Sequence, residues 1–473
     1  MKRILNLFLS IATFLFLAMP ATSFGQEKEP QVKYVFYMIG DGMGVNEVMG
    51  AQFYNAATGN GPEHINFLDF PFRGFITTRS ATSYVTDSAA GGTALATGVK
   101  TYDKGIAVDM DKNPLSSITE WAKASGKGTG VITSVGINHA TPATFLVHSE
   151  NRNNYEEIAL KYIANPVDFA AGAGFITERN SGHDASFFEH KAKEAGIKVY
   201  HGKKEWTNMS RKDDHVLCLS GKAEAELPYA IDRQENDTTL PEFVAAGISY
   251  LESRFADEGF FMMVEGGKID YAGHADDGAT NFLEINDFAA AIDVVLEFYD
   301  RYPEETLIVV TADHETGGLM LGAGRSEMHP ERLAAQKMSS NNLTRLFNTT
   351  FSKENKPTWE AVQSFLREHL GLWGDVAVDK RTEQELYDIY ERNYGNADAK
   401  EESVVNLYSS NSRLVQSAIA YLNKTAGYGW SYGSHSGSPV GLYVKGKAAE
   451  AFLPARDNTD VAPIIAEVAG YKR

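Results

Sequence analysis

The chain has 473 residues, 43% hydrophobic and 22% charged, with a net charge of −18. That describes a globular protein of one large domain or two to three ordinary ones, and its acidity argues against nucleic acid or an anionic membrane as partner. The single cysteine, Cys218, excludes an intrachain disulfide, a thiolate metal site and lipidation at an N-terminal cleavage site.

Lys2 and Arg3 precede an apolar run over 4–19, which gives way to PATSFGQEKEP. This pattern predicts a secretory signal peptide over 1–25, cut near Gly25, and a secreted or periplasmic chain with no membrane anchor. Beyond it, apolar β-rich runs alternate with helical patterns. KYVFYMIG (33–40), GVITSV (130–135), GFFMMVE (259–265), TLIVVTA (306–312) and VGLYVK (440–445) read as buried strands. PLSSITEWAKASG (114–126), NYEEIALKYIA (154–164) and FLEINDFAAAIDVVLEFYDRY (282–302) read as amphipathic helices. The alternation predicts an α/β fold with a large, mostly parallel central sheet flanked by helices. Ligands of such sheets bind beyond the carboxyl ends of the strands. The catalytic unit spans 26–473. Two stretches, about 180–240 and 325–425, lack the rhythm and read as insertions that cover or flank the site.

Residues 84–96 read YVTDSAAGGTALA. The positions two before and two after Ser88 hold Thr86 and Ala90, so this is not the glycine-flanked nucleophile elbow of a serine hydrolase. Thr86 or Asp87 can cap a helix whose small residues allow close packing. Other polar residues gather at strand ends. Asp41 follows the first strand, and GINHATPATFLVHSENR, with His139, Thr141 and Arg152, follows the second. Glu265 opens EGGKIDYAGH, Asp313 and His314 open DHETGG, and His435 precedes the last strand. Asp270 and His274 are four apart, on one helix face, as two ligands of one metal require. Asp313 and His314 are adjacent, so only an irregular loop aims both inward, and Gly317 and Gly318 allow one.

These motifs, over 33–175, 255–320 and 428–446, resemble those of the alkaline phosphatases. The matching stretches are YMIGDGMG, VTDSAAGGTALATGVKT, ATPA followed by Arg152, VEGGKIDYAGH, VTADHETGG and the His435 segment. The resemblance implies hydrolysis of small phosphate monoesters, with Ser88 as the nucleophile that becomes a phosphoserine and Arg152 gripping the phosphate. It implies one Zn²⁺ on Asp270, His274 and His435, which activates water. A second Zn²⁺, on Asp41, Asp313 and His314, holds the Ser88 oxygen. A Mg²⁺ takes Asp41, Thr141 and Glu265. Two departures stand out. His139 lies where familiar bacterial members have an aspartate near the magnesium, which suggests a third site that accepts zinc. Tyr271 replaces a lysine. Animal members carry histidine at both places. The family is usually homodimeric. A phosphodiesterase or sulfatase of the same superfamily is the alternative, but DSAAG lacks the proline and arginine of a sulfatase motif. A non-catalytic binder would lack the nucleophile or a zinc ligand, and none is missing.

Overall fold

The structure, a computed structural model, describes residues 32–178, 182–222, 225–324, 327–351, 356–395 and 401–473. The expected signal peptide lies outside these residues. Among them, no helix is long and apolar enough to cross a membrane.

Among the described residues, nine strands form the central sheet. In chain order they are β1 (Tyr34–Gly40), β2 (Phe72–Ile76), β3 (Gly128–Thr133), β4 (Phe169–Gly172), β5 (Lys198–His201), β6 (Val216–Leu219), β7 (Phe260–Gly266), β8 (Thr306–Thr311) and β9 (Val440–Gly446). Their spatial order is β2-β9-β8-β1-β7-β3-β4-β6-β5. All run parallel except β9, which is antiparallel to both β8 and β2. The continuous apolar runs of β1, β3, β7 and β8 follow from burial on both faces, as a parallel sheet between helix layers requires.

The five strands expected from sequence are all present. The expected helices are observed as Ile118–Ala124, Tyr155–Ala164 and Gly278–Arg301. The last lays a long apolar stripe on the sheet. Tyr34 and Phe36 of β1, Phe260 of β7 and Phe298 of this helix form an aromatic cluster, with ring centroids 4.9–5.6 Å apart. Each phenylalanine buried there contributes about 1.5–3 kcal/mol. On the other face lie the helices Ser88–Thr97, Ala140–Leu146 and Val461–Ala469.

The stretches read as insertions differ from one another. Residues 180–240 contain β5 and β6, so that part of the chain extends the central sheet at its edge rather than standing outside it. Residues 325–425 form the helices Ser340–Thr350, Trp359–Leu370, Lys380–Tyr394 and Arg413–Ala426, plus a small hairpin of Ser403–Val405 with Ser410–Ser412.

Register positions the site. Ile39 pairs with Glu265 on one side and Thr311 on the other, and Thr133 pairs with Glu265. The carboxyl ends of β1, β3, β7 and β8 are therefore level. Asp41 and Asp313 emerge together two residues beyond the level of Glu265. Because β9 runs the other way, the residues that precede it, including His435, also lie at this edge.

Candidate active site

Ser88 is the first residue of its helix and is fully buried. Asp87, not Thr86, is the cap, and its Oδ1 accepts the Ala90 N–H (3.0 Å). The Thr86 carbonyl instead accepts from His435 Nδ1 (2.8 Å). The helix packs its small residues against the loop after β8.

That loop needs glycine. Gly317 (φ +96°) and Gly318 (φ +60°) both occupy the left-handed region, and the turn they make aims Asp313 and His314 to the same side. Asp270 and His274 lie on one face of the Lys268–His274 helix, as the four-residue spacing predicts.

Hydrogen bonds fix the imidazole tautomers. A carbonyl only accepts, so His274 Nδ1 donates to Gly433 O (3.0 Å) and His435 Nδ1 to Thr86 O (2.8 Å). In the neutral rings both Nε2 atoms then carry lone pairs, and they face each other at 3.1 Å. Two lone pairs that close repel unless a cation or proton lies between them. His314 is set the same way. Thr316 Oγ1 spends its proton on Asp270 Oδ1, so it accepts from His314 Nδ1 (3.2 Å). The His314 Nε2 lone pair faces Ser88 Oγ (3.1 Å), beside Asp41 Oδ1 (3.3 Å) and Asp313 Oδ2 (3.4 Å).

Three groups of donor atoms lie within 4.8 Å of one another: Asp270, His274 and His435; Asp41, Asp270 and His314; Asp41, His139 and Glu265. Thr141 Oγ1 donates to Asp41 Oδ2 (3.3 Å) beside the third group. Asp41 Oδ1, Glu265 Oε1, Asp270 Oδ2 and Asp313 Oδ2 are buried without a hydrogen-bond partner among the described residues. Burial, then the neighbouring carboxylates, drive Asp41 and Asp313 well above the usual carboxylate range. Burial pushes Glu265 up to about 7. Burial acts the same way on Asp270, but the His274, His435 and His314 rings overcome it and hold this carboxyl low. Buried carboxylates that repel one another and keep orphaned oxygens fit divalent cations, which neutralise them and use those lone pairs. The donor set, oxygen and imidazole only, suits zinc and magnesium.

Arg152 is buried, with Nη1 on Asp87 Oδ2 (3.2 Å) and Nη2 donating to His139 Nε2 (3.3 Å). Burial, with Arg152 adding to it, pushes His139 down to about 3, so the ring is neutral. A neutral ring has one lone pair. His139 Nε2 therefore accepts from Arg152 or ligates a cation, not both.

All eleven residues singled out from the sequence gather here. Three were missed: Thr316, which sets the His314 tautomer; Thr133, which donates to Glu265 Oε2; and Tyr408, which stacks on Tyr271 with centroids 3.6 Å apart. Thr133 lies within the strand read over 130–135 and ends the observed one, and Thr316 lies in DHETGG, so a count of hydroxyls near the motifs would have found both. Tyr408 carries no motif signal.

A parallel sheet with a serine, four carboxylates and imidazoles converging at its strand ends defines an α/β enzyme of acidic, histidine-rich site. The alkaline phosphatase family model matches residues 32–168 and 176–471. Alkaline phosphatase 4 of Bacillus subtilis is 30% identical, over 94% of this chain and 90% of its own. The cold-active alkaline phosphatase of Shewanella sp. is 30% identical, over 92% of this chain and 99% of that one, with a TM-score of 0.75. A histidine-to-aspartate variant of the alkaline phosphatase of TAB5, which has magnesium in its M3 site, is 25% identical over 94% of this chain and 100% of that one, with a TM-score of 0.65. The chain belongs to the alkaline phosphatase family, enzymes that hydrolyse phosphate monoesters.

Proposed function

We propose that the chain hydrolyses phosphate monoesters through a phosphoserine on Ser88, in a site loaded with two Zn²⁺ and one Mg²⁺. The observation that carries this reading is the position of Ser88 Oγ: buried at a helix start, 3.1 Å from the His314 lone pair, among carboxylates with orphaned oxygens. Asp270, His274 and His435 would hold one zinc. Asp41, Asp313 and His314 would hold the other, with Asp270 beside them. Asp41, Thr141 and Glu265 would hold magnesium. When bound, the metals supply Lewis acidity for phosphoryl oxygens and lower the pKa of the attacking hydroxyl and water.

The chain's own groups do the rest. Ser88 Oγ loses its proton and attacks phosphorus as the bond to the alcohol oxygen breaks; that oxygen leaves and is protonated. Water then attacks the phosphoserine, restoring the Ser88 hydroxyl and releasing phosphate. Asp87 holds Arg152 so that its guanidinium can present two N–H groups to non-bridging oxygens. The positive end of the Ser88–Thr97 helix favours the same anion. Residues 1–25 are read as a cleaved signal peptide, which N-terminal sequencing of the exported chain checks.

The test is acid quench of the enzyme with labelled phosphate, followed by mapping of the label. Label on Ser88, lost together with turnover in Ser88→Ala at retained metal content, is expected. Turnover in Ser88→Ala, or label on another residue, refutes the assignment.

A further inference from the structure

The hairpin of Ser403–Val405 and Ser410–Ser412 belongs to the stretch outside the sheet, yet its tip reaches the site. Asn406 organises that tip. Its Oδ1 accepts from the backbone N–H of Tyr408 (2.9 Å) and of Ser409 (2.7 Å), and its own N–H donates to Ser409 O (2.9 Å). Its Nδ2 donates to the backbone carbonyl of His274 (3.2 Å). The turn is thus clamped to the end of the Lys268–His274 helix.

The clamp turns Tyr408 inward while Leu407 stays in solvent. The Tyr408 ring stacks on Tyr271 at an interplanar angle of 17° and meets His274 edge-on, with centroids 5.3 Å apart. The His139 ring lies 5.9 Å away. A phenylalanine would satisfy all of these ring contacts, so packing does not account for the hydroxyl. That oxygen is buried and has no hydrogen-bond partner among the described residues. The His139 ring beside it takes a hydrogen bond from Arg152 (3.3 Å), and the His274 ring beside it belongs to the Asp270 cluster, so Tyr408 lies among the groups that surround the expected phosphate position. A phenol hydroxyl is a hydrogen-bond donor. A buried donor left unpaired is costly, and this one has no acceptor among the described residues until an anion arrives.

We propose that Tyr408 is a substrate-binding residue: its hydroxyl donates to a non-bridging oxygen of the phosphoryl group that Arg152 holds. This rests on the phosphate site described above. It gives the 325–425 stretch a direct part in recognising the anion. It also places a neutral donor near the phosphate, stacked on Tyr271.

The experiment compares wild type, Tyr408→Phe and Arg152→Ala for inhibition by inorganic phosphate, kcat/KM on p-nitrophenyl phosphate, Tm and bound metal. Tyr408→Phe keeps the stack and loses only the donor. It is expected to weaken phosphate inhibition by roughly tenfold or more and to lower kcat/KM similarly, at unchanged Tm and metal content. Wild-type phosphate inhibition in Tyr408→Phe, with weakened inhibition in Arg152→Ala, overturns the role of Tyr408 and leaves the site reading intact. Unchanged inhibition in both variants overturns the phosphate site itself. If Tyr408→Phe melts early, Asn406→Ala decides. Weaker phosphate inhibition on releasing the tip supports the proposal, and wild-type inhibition overturns it.

Discussion

Gly91→Ala tests whether the small residues after Ser88 set the position of the proposed nucleophile. A Cβ on Gly91 would lie 2.8 Å from the backbone oxygen of Asp313 and 3.3 Å from its Cβ. Ordinary contact begins at 3.4 Å, so helix and loop must part by about 0.6 Å (3.4 less 2.8). The loop cannot yield easily, because Asp313 Oδ1 accepts from Gly42 N–H (3.2 Å) and from His314 N–H (3.0 Å). Overpacking costs about 1–3 kcal/mol, and the better helix propensity of alanine returns about 1 kcal/mol. Net destabilisation is therefore at most about 2 kcal/mol, a Tm fall of a few degrees. Activity should suffer more. Displacement of a reacting group by about 1 Å costs about a hundredfold, so 0.6 Å should cost about tenfold in kcat/KM. The assay is p-nitrophenyl phosphate hydrolysis with Tm and metal content measured on the same sample. Wild-type kcat/KM in a fully folded Gly91→Ala would show that the helix is not held against the metal-site loop.

Arg152→Ala should lower kcat/KM and weaken phosphate inhibition by about 1.5–3 kcal/mol without abolishing turnover; unchanged phosphate inhibition would show that Arg152 faces elsewhere. Exhaustive chelation should remove activity and lower Tm, both recovering on addition of Zn²⁺ and Mg²⁺; full activity at near-zero metal content would refute a metal mechanism. In the stripped protein the contribution of Glu265 to stability should fall as pH rises. Glu265 sits at about 7 when folded, above its unfolded value, so the unfolded chain releases a proton that the folded chain keeps between about pH 4.5 and 7. Burial also holds His139 and His314 neutral, and their contributions rise with pH, so the Glu265 contribution is read as the Tm difference between stripped wild type and stripped Glu265→Gln; a difference that does not fall across that window would contradict the burial argument. His139→Asp should raise magnesium occupancy of the third site, since a carboxylate favours that cation over zinc and the Arg152 contact to Nε2 is lost. Identical metal content and Mg²⁺ dependence would show that His139 only packs.

The centre of the sheet was legible because β1, β3, β7 and β8 are buried on both faces, which forces long apolar runs. Its edges were not. β2 is FRGFI, largely solvent-exposed, and β4 is only FAAG. β5 and β6 lie in a polar stretch where the surrounding loops dilute the signal, and so were read as an insertion. The site was legible where chemistry demanded an unusual residue after a strand, as at Asp41, Asp313 and His314. It was opaque where an ordinary residue acts through geometry alone. Nothing marks Tyr408 until a hairpin folds it onto Tyr271.

The reversed direction of β9 has a consequence for how the enzyme matures. His435 bonds to Thr86 across 349 residues of chain, and it reaches the site only when β9 slots in beside β8. A growing chain can form much of its parallel sheet early, since folding generally proceeds from the N-terminus as synthesis advances. The cluster of Asp270, His274 and His435 stays incomplete until almost the last residues have been made. Catalytic competence is thus a late event, and a chain cut short before 435 is an incomplete enzyme however much of its scaffold has formed.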